Sequence, residues 1–420
     1  MAAHFETVDW AKAAVVYEVN IRQYTQEGTF KAFEFHLPRL KRMGVDILWL
    51  MPVTPISKEE RQGTLGSFYA CSSYDEINPE FGTIDDLRQL IKSAHALNMK
   101  VIIDWVANHT GCDHEWTIEH PDWYIKDDAG NFTERNGWKD VIDLNYDMLP
   151  MRAAMIEAMQ FWVRDCDIDG FRCDMAHLVT LDFWKSARQQ CDMLKPLFWL
   201  AECEVTAYLD VFDANYAWAW MHVTEQYVKN ESSIGDIYNI LHSYSQSTVG
   251  AKKLFFTSNH DENSWNGTEY EKFGDLAKAM AVFSFTWDGM PLIYSGQEIP
   301  SNKRLKFFDK DQIDWIAKPT LEDFYTSLST LHHSDVISNG ETFILPTDSE
   351  GVMAFLRRSG DNVVLVILNM SVRDRNIVKV QHDWLKGSFT NIFSGLTFNF
   401  EQEEQFEMQA YEYLVYSKTV

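Results

Sequence analysis

The sequence has no uninterrupted apolar run of the roughly 18 residues that a membrane helix needs. It has no Cys-x-x-Cys pair either: six cysteines stand scattered at 71, 112, 166, 173, 191 and 203. That spacing excludes a zinc finger, and a chain of 420 residues can bury enough core to need no disulfide framework. Reduced, mostly buried thiols are expected. Positive charge is also scarce, since 37 Lys and Arg against 62 Asp and Glu leave a net charge of −25. Such a surface repels phosphate backbones and anionic lipid, so neither nucleic acid nor membrane is an expected partner. Internal repeats and low-complexity tracts are missing, and nothing sets an oligomeric state. Residues Met1 to Trp10 lack a basic segment followed by an apolar one, so no signal peptide is read. A cytoplasmic location is expected, with the mature form of a secreted or periplasmic protein as the alternative.

What is present is an ordinary globular balance, 46% apolar and 24% charged, with 15 Trp, 17 Tyr and 27 Phe. Flat side chains suit the faces of sugar rings, and they equally suit a Trp-rich core. Short apolar runs predict strands at 15–20, 45–51, 101–106, 170–174, 198–202, 254–259 and 291–295, with a weaker one at 217–222. Helical periodicity fills 84–97, 150–165 and 181–194, and Thr83 is a candidate N-cap with acids following it. Eight near-continuous apolar strands alternating with amphipathic helices predict an α/β fold, a closed (β/α)₈ TIM barrel. Residues 111–149, polar and aromatic, are too long for a βα loop and read as a short inserted subdomain. After 337 the pattern changes to short alternating runs at 352–357, 362–369, 377–380 and 410–416, which predict a C-terminal antiparallel β-sandwich over 338–420. The barrel then comprises 1–110 and 150–337.

Chemistry-bearing residues concentrate at one end of these strands. Asp104 and Asn108-His109 close the third, Arg172 and Asp174 alternate on the fourth, Glu202 ends the fifth, and Asn259-His260-Asp261 ends the seventh. Residues two apart on a strand share a face, so Arg172 and Asp174 point the same way. Side chains at the C-terminal ends of parallel strands converge at the top of a barrel, where such folds place their sites. One buried acid can be structural; four strands carrying acids or histidines at one end point to a site.

The pieces Asp104-Trp-Val-Ala-Asn-His109, Gly170-Phe-Arg-Cys-Asp174, Ala201-Glu202 and Ser258-Asn-His-Asp261 resemble, in order, the four signature regions of the α-amylase superfamily, glycoside hydrolase family 13. Gly44 to Pro52, Asn78 to Thr83, Val141 to Asn145 and Pro291 to Glu298 are similar to its flanking regions. The resemblance implies that Asp174 is a nucleophile, Glu202 a general acid/base and Asp261 a third acid that binds sugar hydroxyls and favours ring distortion. It implies that His109 and His260 bind the same sugar and that Tyr69 is an aromatic platform. Arg172 would hold Asp174 ionised, Asp104 would brace Arg172 or the loop, and Trp265 would be an outer sugar contact. The implied reaction is retaining hydrolysis of α-1,4 bonds in starch-like glucans or maltooligosaccharides. Asn108 and Asp143 match oxygen ligands of the family's structural calcium, so calcium is a candidate cofactor, and no organic cofactor is implied.

The chain departs from the family at three places. Ser67-Phe68-Tyr69 stands where His-Gly-Tyr is common, which removes a sugar-facing histidine. His177-Leu178 replaces Lys-His, leaving His177 as the candidate contact beyond the cleaved bond. Met175 follows the nucleophile where neither α-1,4 nor α-1,6 specialists place it. Family relatives with the same acids cleave α-1,6 bonds, transfer glycosyl groups or isomerise trehalose and sucrose. Two readings from other classes are a non-catalytic saccharide-binding barrel and a metal hydrolase using His109, Asp174 and His260; the latter lacks paired metal-ligand spacing.

Overall fold

The computed structural model describes residues 5–246 and 250–418, so the first four residues of the segment read for a leader lie outside it. Eight parallel strands close into a barrel. They are β1 (Val16–Val19), β2 (Ile47–Leu50), β3 (Lys100–Trp105), β4 (Gly170–Cys173), β5 (Phe198–Ala201), β6 (Ala214–Tyr216), β7 (Lys252–Phe255) and β8 (Met290–Tyr294). Closure comes from β8 returning to β1 through Val16↔Leu292. The strands are buried on both faces, which is why they read as continuous apolar runs rather than alternating ones. Gly170 lets β4 and β5 approach: a Cβ there would lie 2.0 Å from the Phe198 carbonyl oxygen.

Helices cover the barrel's outer face. Ile84–Ala96 buries Leu87, Leu90, Ile91 and Ala94, one stripe at helical spacing. Thr83 caps it reciprocally, its side chain accepting from Asp86 N while Asp86 accepts from Thr83 N, a capping box that contributes about 1 kcal/mol.

The sixth strand is misplaced in the sequence reading. Residues 217–222 begin the helix Trp218–Val228, and the strand is the three-residue Ala214–Tyr216 just before it. The aromatic run Trp218-Ala-Trp220-Met imitates a strand, but its buried residues, Trp220, Met221, Val223 and Thr224, follow helical spacing. The seventh strand also begins earlier than read, at Lys252.

After β3, His109–Gly111 pairs antiparallel with Val141–Asp143, and the excursion between them carries the bridges Tyr124↔Leu144 and Lys126↔Phe132. The C-terminal region holds β9 (Glu341–Ile344), β10 (Val352–Ser359), β11 (Asn362–Asn369), β12 (Asn376–Gln381), β13 (Gly387–Asn391), β14 (Thr397–Phe400), β15 (Glu403–Met408) and β16 (Tyr413–Lys418). Six form an antiparallel sheet in the order β9-β10-β11-β16-β13-β14, and β12 pairs with β15. Alternation on β11 serves two cores. Val363, Leu365 and Ile367 meet Val378 and Val380 of the two-stranded sheet, whereas Val364, Val366 and Leu368 join the barrel's core. Phe355 of β10 completes that contact, edge-on to Trp287 with centroids 4.9 Å apart.

All six cysteines are unpaired, five buried and Cys112 half-buried. Much of the tryptophan is core: Trp49, Trp105, Trp162, Trp184, Trp199 and Trp220 are fully buried. Among the described residues, no helix is long and apolar enough to cross a membrane.

Candidate active site

Alternation along β4 turns Arg172 into the barrel, and strand register sets it beside Asp104 of β3. Its Nη1 donates to Asp104 Oδ1 at 2.8 Å and to Asp174 Oδ1 at 2.9 Å, and its Nε donates to the Tyr216 hydroxyl at 3.1 Å. Nη2 lies 2.9 Å from Glu202 Oε2. The guanidinium rests 4.9 Å from the centre of the Trp49 ring. One fully buried cation therefore faces three carboxylates. Its delocalised, forked geometry suits that task as an ammonium would not.

The chain leaves β4 at Asp174 and turns sharply. Met175 sits in the left-handed region at φ 39° and ψ 45°, a conformation that costs about 1–3 kcal/mol in a non-glycine residue. The turn aims Met175 N–H at Glu202 Oε2, 2.8 Å away. Asp174 and Glu202 are thus tied to each other twice, through Arg172 and through this backbone bond.

Tyr69 and His260 form the floor. The Tyr69 hydroxyl donates to Asp104 Oδ2 at 3.0 Å and lies 2.7 Å from His260 Nε2. The two rings stack at 5.4 Å and 17°. Trp49 Nε1 also donates to Asp104 Oδ2, at 3.1 Å. On its other side, His260 Nδ1 meets Glu18 Oε1 of β1 at 2.5 Å, and its Nε2 lies 3.3 Å from Asp261 Oδ2. Burial alone would push the imidazole down, but Asp261 and Glu18 outweigh it and raise His260 to about 9. His260 is therefore an imidazolium at neutral pH and donates from both nitrogens.

The remaining groups divide by environment. Burial pushes His109 down to about 4, leaving it neutral. Burial pushes Asp104 up to about 6 against the pull of Arg172 and His260. Asp261 is raised as well, by burial first, with His260 opposing. Arg172 pulls Asp174 toward the anion, as expected of it, but it does not act alone. Burial and the charge of Glu202 push Asp174 well above the ordinary carboxylate range, and Arg172 opposes without prevailing.

Above this floor lies a cavity of about 240 Å³. Tyr69, His109, Asp174, Glu202, Asp261 and Trp265 line it, while Arg172, His260 and Asp104 support it from below. Trp265 is half exposed at the rim, tilted against Phe307 and Phe308. His177 is not brought in: it lies exposed on the turn Ala176–Leu178, outside the lining. The structure adds Gln62, Trp138, Asp140, Phe307 and Phe308 to the walls. It also adds Glu18, Trp49 and Tyr216 beneath them. Of these, Glu18 left a signal, an acid inside the apolar strand Val16–Val19. The wall residues sit in loops without periodicity and left none.

The metal expectation meets a different environment. Asp143 is fully buried, and Arg135 Nε occupies its Oδ2 at 2.6 Å. The amide nitrogen of Asn108 faces its Oδ1 at 3.3 Å, offering a donor where a calcium ligand would offer oxygen. Among the described residues, no three His, Cys, Asp or Glu side chains are grouped to hold a metal ion. Arg135 and the Asn108 amide thus face the Asp143 oxygens that a calcium ion would use, and among the described residues His109, Asp174 and His260 form no metal-holding group.

The family model for the α-amylase catalytic domain matches residues 17–122 and 117–327, and that for the maltogenic amylase C-terminal domain matches 342–415. "Alpha-amylase MalA" of Haloarcula japonica is 28% identical over 87% of the chain. The chain spans only 56% of that relative's length. The "Probable oligo-1,6-glucosidase 3" of Bacillus subtilis is 23% identical over 77% of this chain and 71% of its own. Among solved structures, the noncanonic maltogenic alpha-amylase AmyB from Thermotoga neapolitana superposes with a TM-score of 0.90 at 30% identity. That match covers 98% of this chain and 100% of the other. A barrel with acids ending its fourth, fifth and seventh strands, and a sheet domain behind it, now has its relatives: the chain belongs to the α-amylase family, glycoside hydrolase family 13.

Proposed function

We propose that this chain hydrolyses α-1,4-glucosidic bonds in starch-like glucans or maltooligosaccharides, with retention of configuration. The observation that carries the reading is the seating of Asp174 and Glu202 on adjacent nitrogens of one buried guanidinium, both facing the cleft. A retaining mechanism needs two carboxyl groups roughly 5–5.5 Å apart. Pairing on one guanidinium favours that closeness; an inverting enzyme needs room for water between them.

In the first step, Asp174 attacks the anomeric carbon while Glu202 gives its proton to the departing glycosidic oxygen. In the second, Glu202 takes a proton from water, whose oxygen displaces Asp174 from the same carbon. These steps consume and restore one proton, while burial and the charge of Glu202 work against the Asp174 anion that the first step requires. For attack the proton must rest on Glu202, so substrate binding has to favour ionised Asp174. Asp261 would bind hydroxyls of the same sugar, with the His260 imidazolium holding it from beneath, and Tyr69 would stack on the sugar's face.

The test is Asp174→Asn assayed on maltoheptaose, with circular dichroism as the folding control. Turnover is expected to fall by roughly 1,000-fold or more with the fold intact. Undiminished turnover contradicts the assignment. Wild-type products from maltoheptaose, maltose and isomaltotriose separate α-1,4 hydrolysis from α-1,6 cleavage and from transfer.

A further inference from the structure

We propose that Arg135 supplies, from within the chain, the positive charge at Asp143 that a bound divalent cation would otherwise supply, and that this clamp positions the cleft wall. Asp143 has no exposed side-chain surface, and Arg135 is its ion-pair partner among the described residues. An unpaired carboxylate so buried is strongly disfavoured, so something positive must sit there. The guanidinium, partly exposed, reaches it from a loop eight residues earlier in the chain.

The clamp connects to the cleft by two routes. Asn108 Nδ2 lies 3.3 Å from Asp143 Oδ1 and 3.2 Å from His109 Nδ1, so one amide ties the carboxylate to a cleft histidine. Strand register reinforces this, since His109 sits opposite Asp143. The second route is Arg135's own loop. Asp143 N donates to the Thr133 carbonyl at 2.9 Å. The Glu134 carboxylate accepts from Gly137 N at 2.6 Å and Trp138 N at 2.8 Å. That turn presents Trp138 to the cleft, its ring centre 5.0 Å from that of His109. Arg135 is a positioning residue: it touches no cleft atom and acts through Asp143.

The inference concerns the wall's anchorage, so it stands or falls separately from the bond the enzyme cuts. The experiment compares melting temperatures of the wild-type chain dialysed against EDTA, with and without calcium chloride restored, and of Arg135→Gln and Arg135→Lys. Wild type should melt at one temperature under both conditions. Arg135→Gln should melt several degrees lower and raise KM for maltoheptaose more than it lowers kcat. Arg135→Lys, which keeps the charge, should recover most of both losses. A wild-type melting temperature that falls in EDTA and returns with calcium overturns the proposal. So does an Arg135→Gln protein that melts and binds like wild type, or an Arg135→Lys protein that fares no better than Arg135→Gln.

Discussion

The Arg172 guanidinium donates to Asp104 Oδ1 across 2.8 Å, and neither side chain has exposed surface. The pair sits on adjacent strands in register, so the barrel itself fixes the distance. The same guanidinium also meets Asp174 and Glu202, and its Nε serves Tyr216. Arg172→Lys replaces five forked donors with one ammonium that cannot serve all four groups. We expect loss of roughly 3–5 kcal/mol of stability, because buried carboxylates are left uncompensated. Urea denaturation measures it. A loss below 1 kcal/mol contradicts the role given to this residue.

Glu18 holds His260 as a cation, so its removal should appear in the pH profile. Burial lowers the His260 pKa while Asp261 and Glu18 raise it to about 9. In Glu18→Gln the charge is gone and the imidazolium becomes less favoured. The alkaline limb of kcat/KM should move to lower pH by one unit or more, with the acidic limb nearly unmoved. A histidine raised from 6.5 to about 9 contributes stability that is fully present below pH 6.5 and is lost as pH rises through 9. Wild-type melting temperatures measured from pH 6 to 10 check this directly; a flat response counts against it.

The acids themselves should weigh against stability. Burial and Glu202 raise Asp174, so its ionisation at neutral pH costs folding energy, and the cost grows as pH rises through its folded value. Asp174→Asn removes the charge and keeps the shape. Its melting temperature should exceed that of wild type by roughly 2–6 °C at pH 7, with the gap narrowing toward pH 4. A lower melting temperature at pH 7 means that the Arg172 contact outweighs desolvation.

The barrel was legible because its strands are short apolar runs buried on both faces, and because chemistry collects at one end of them. Arg172, Asp174, Glu202 and Asp261 stand out as charges set against apolar strands. The sixth strand was not legible. Ala214–Tyr216 is too short to show a period, and the apolar helix after it imitates a strand. His177 was placed by its chain neighbours, yet the turn after Met175 carries it outward. Phe307 and Phe308 lie in a loop without periodicity, and only the fold brings them to Trp265. Asp143 was read for its oxygens; its partner Arg135 depends on a loop conformation that no spacing rule encodes.

Close approach of β4 and β5 gives a test of the frame. Gly170→Ala would place its Cβ 2.0 Å from the Phe198 carbonyl oxygen, a backbone atom held in the barrel. The strands must part, and the register that seats Arg172 beside Asp104 goes with them. We expect a protein destabilised by roughly 2–4 kcal/mol, or one recovered only in aggregates. Wild-type melting behaviour in this variant contradicts the packing described.

In the proposed reaction Asp174 and Glu202 work as a nucleophile and an acid/base pair on one sugar. Proton NMR of maltoheptaose cleavage, followed within the first minutes before mutarotation, tests it most directly. The new reducing ends should appear first as the α-anomer. Initial release of the β-anomer contradicts the account.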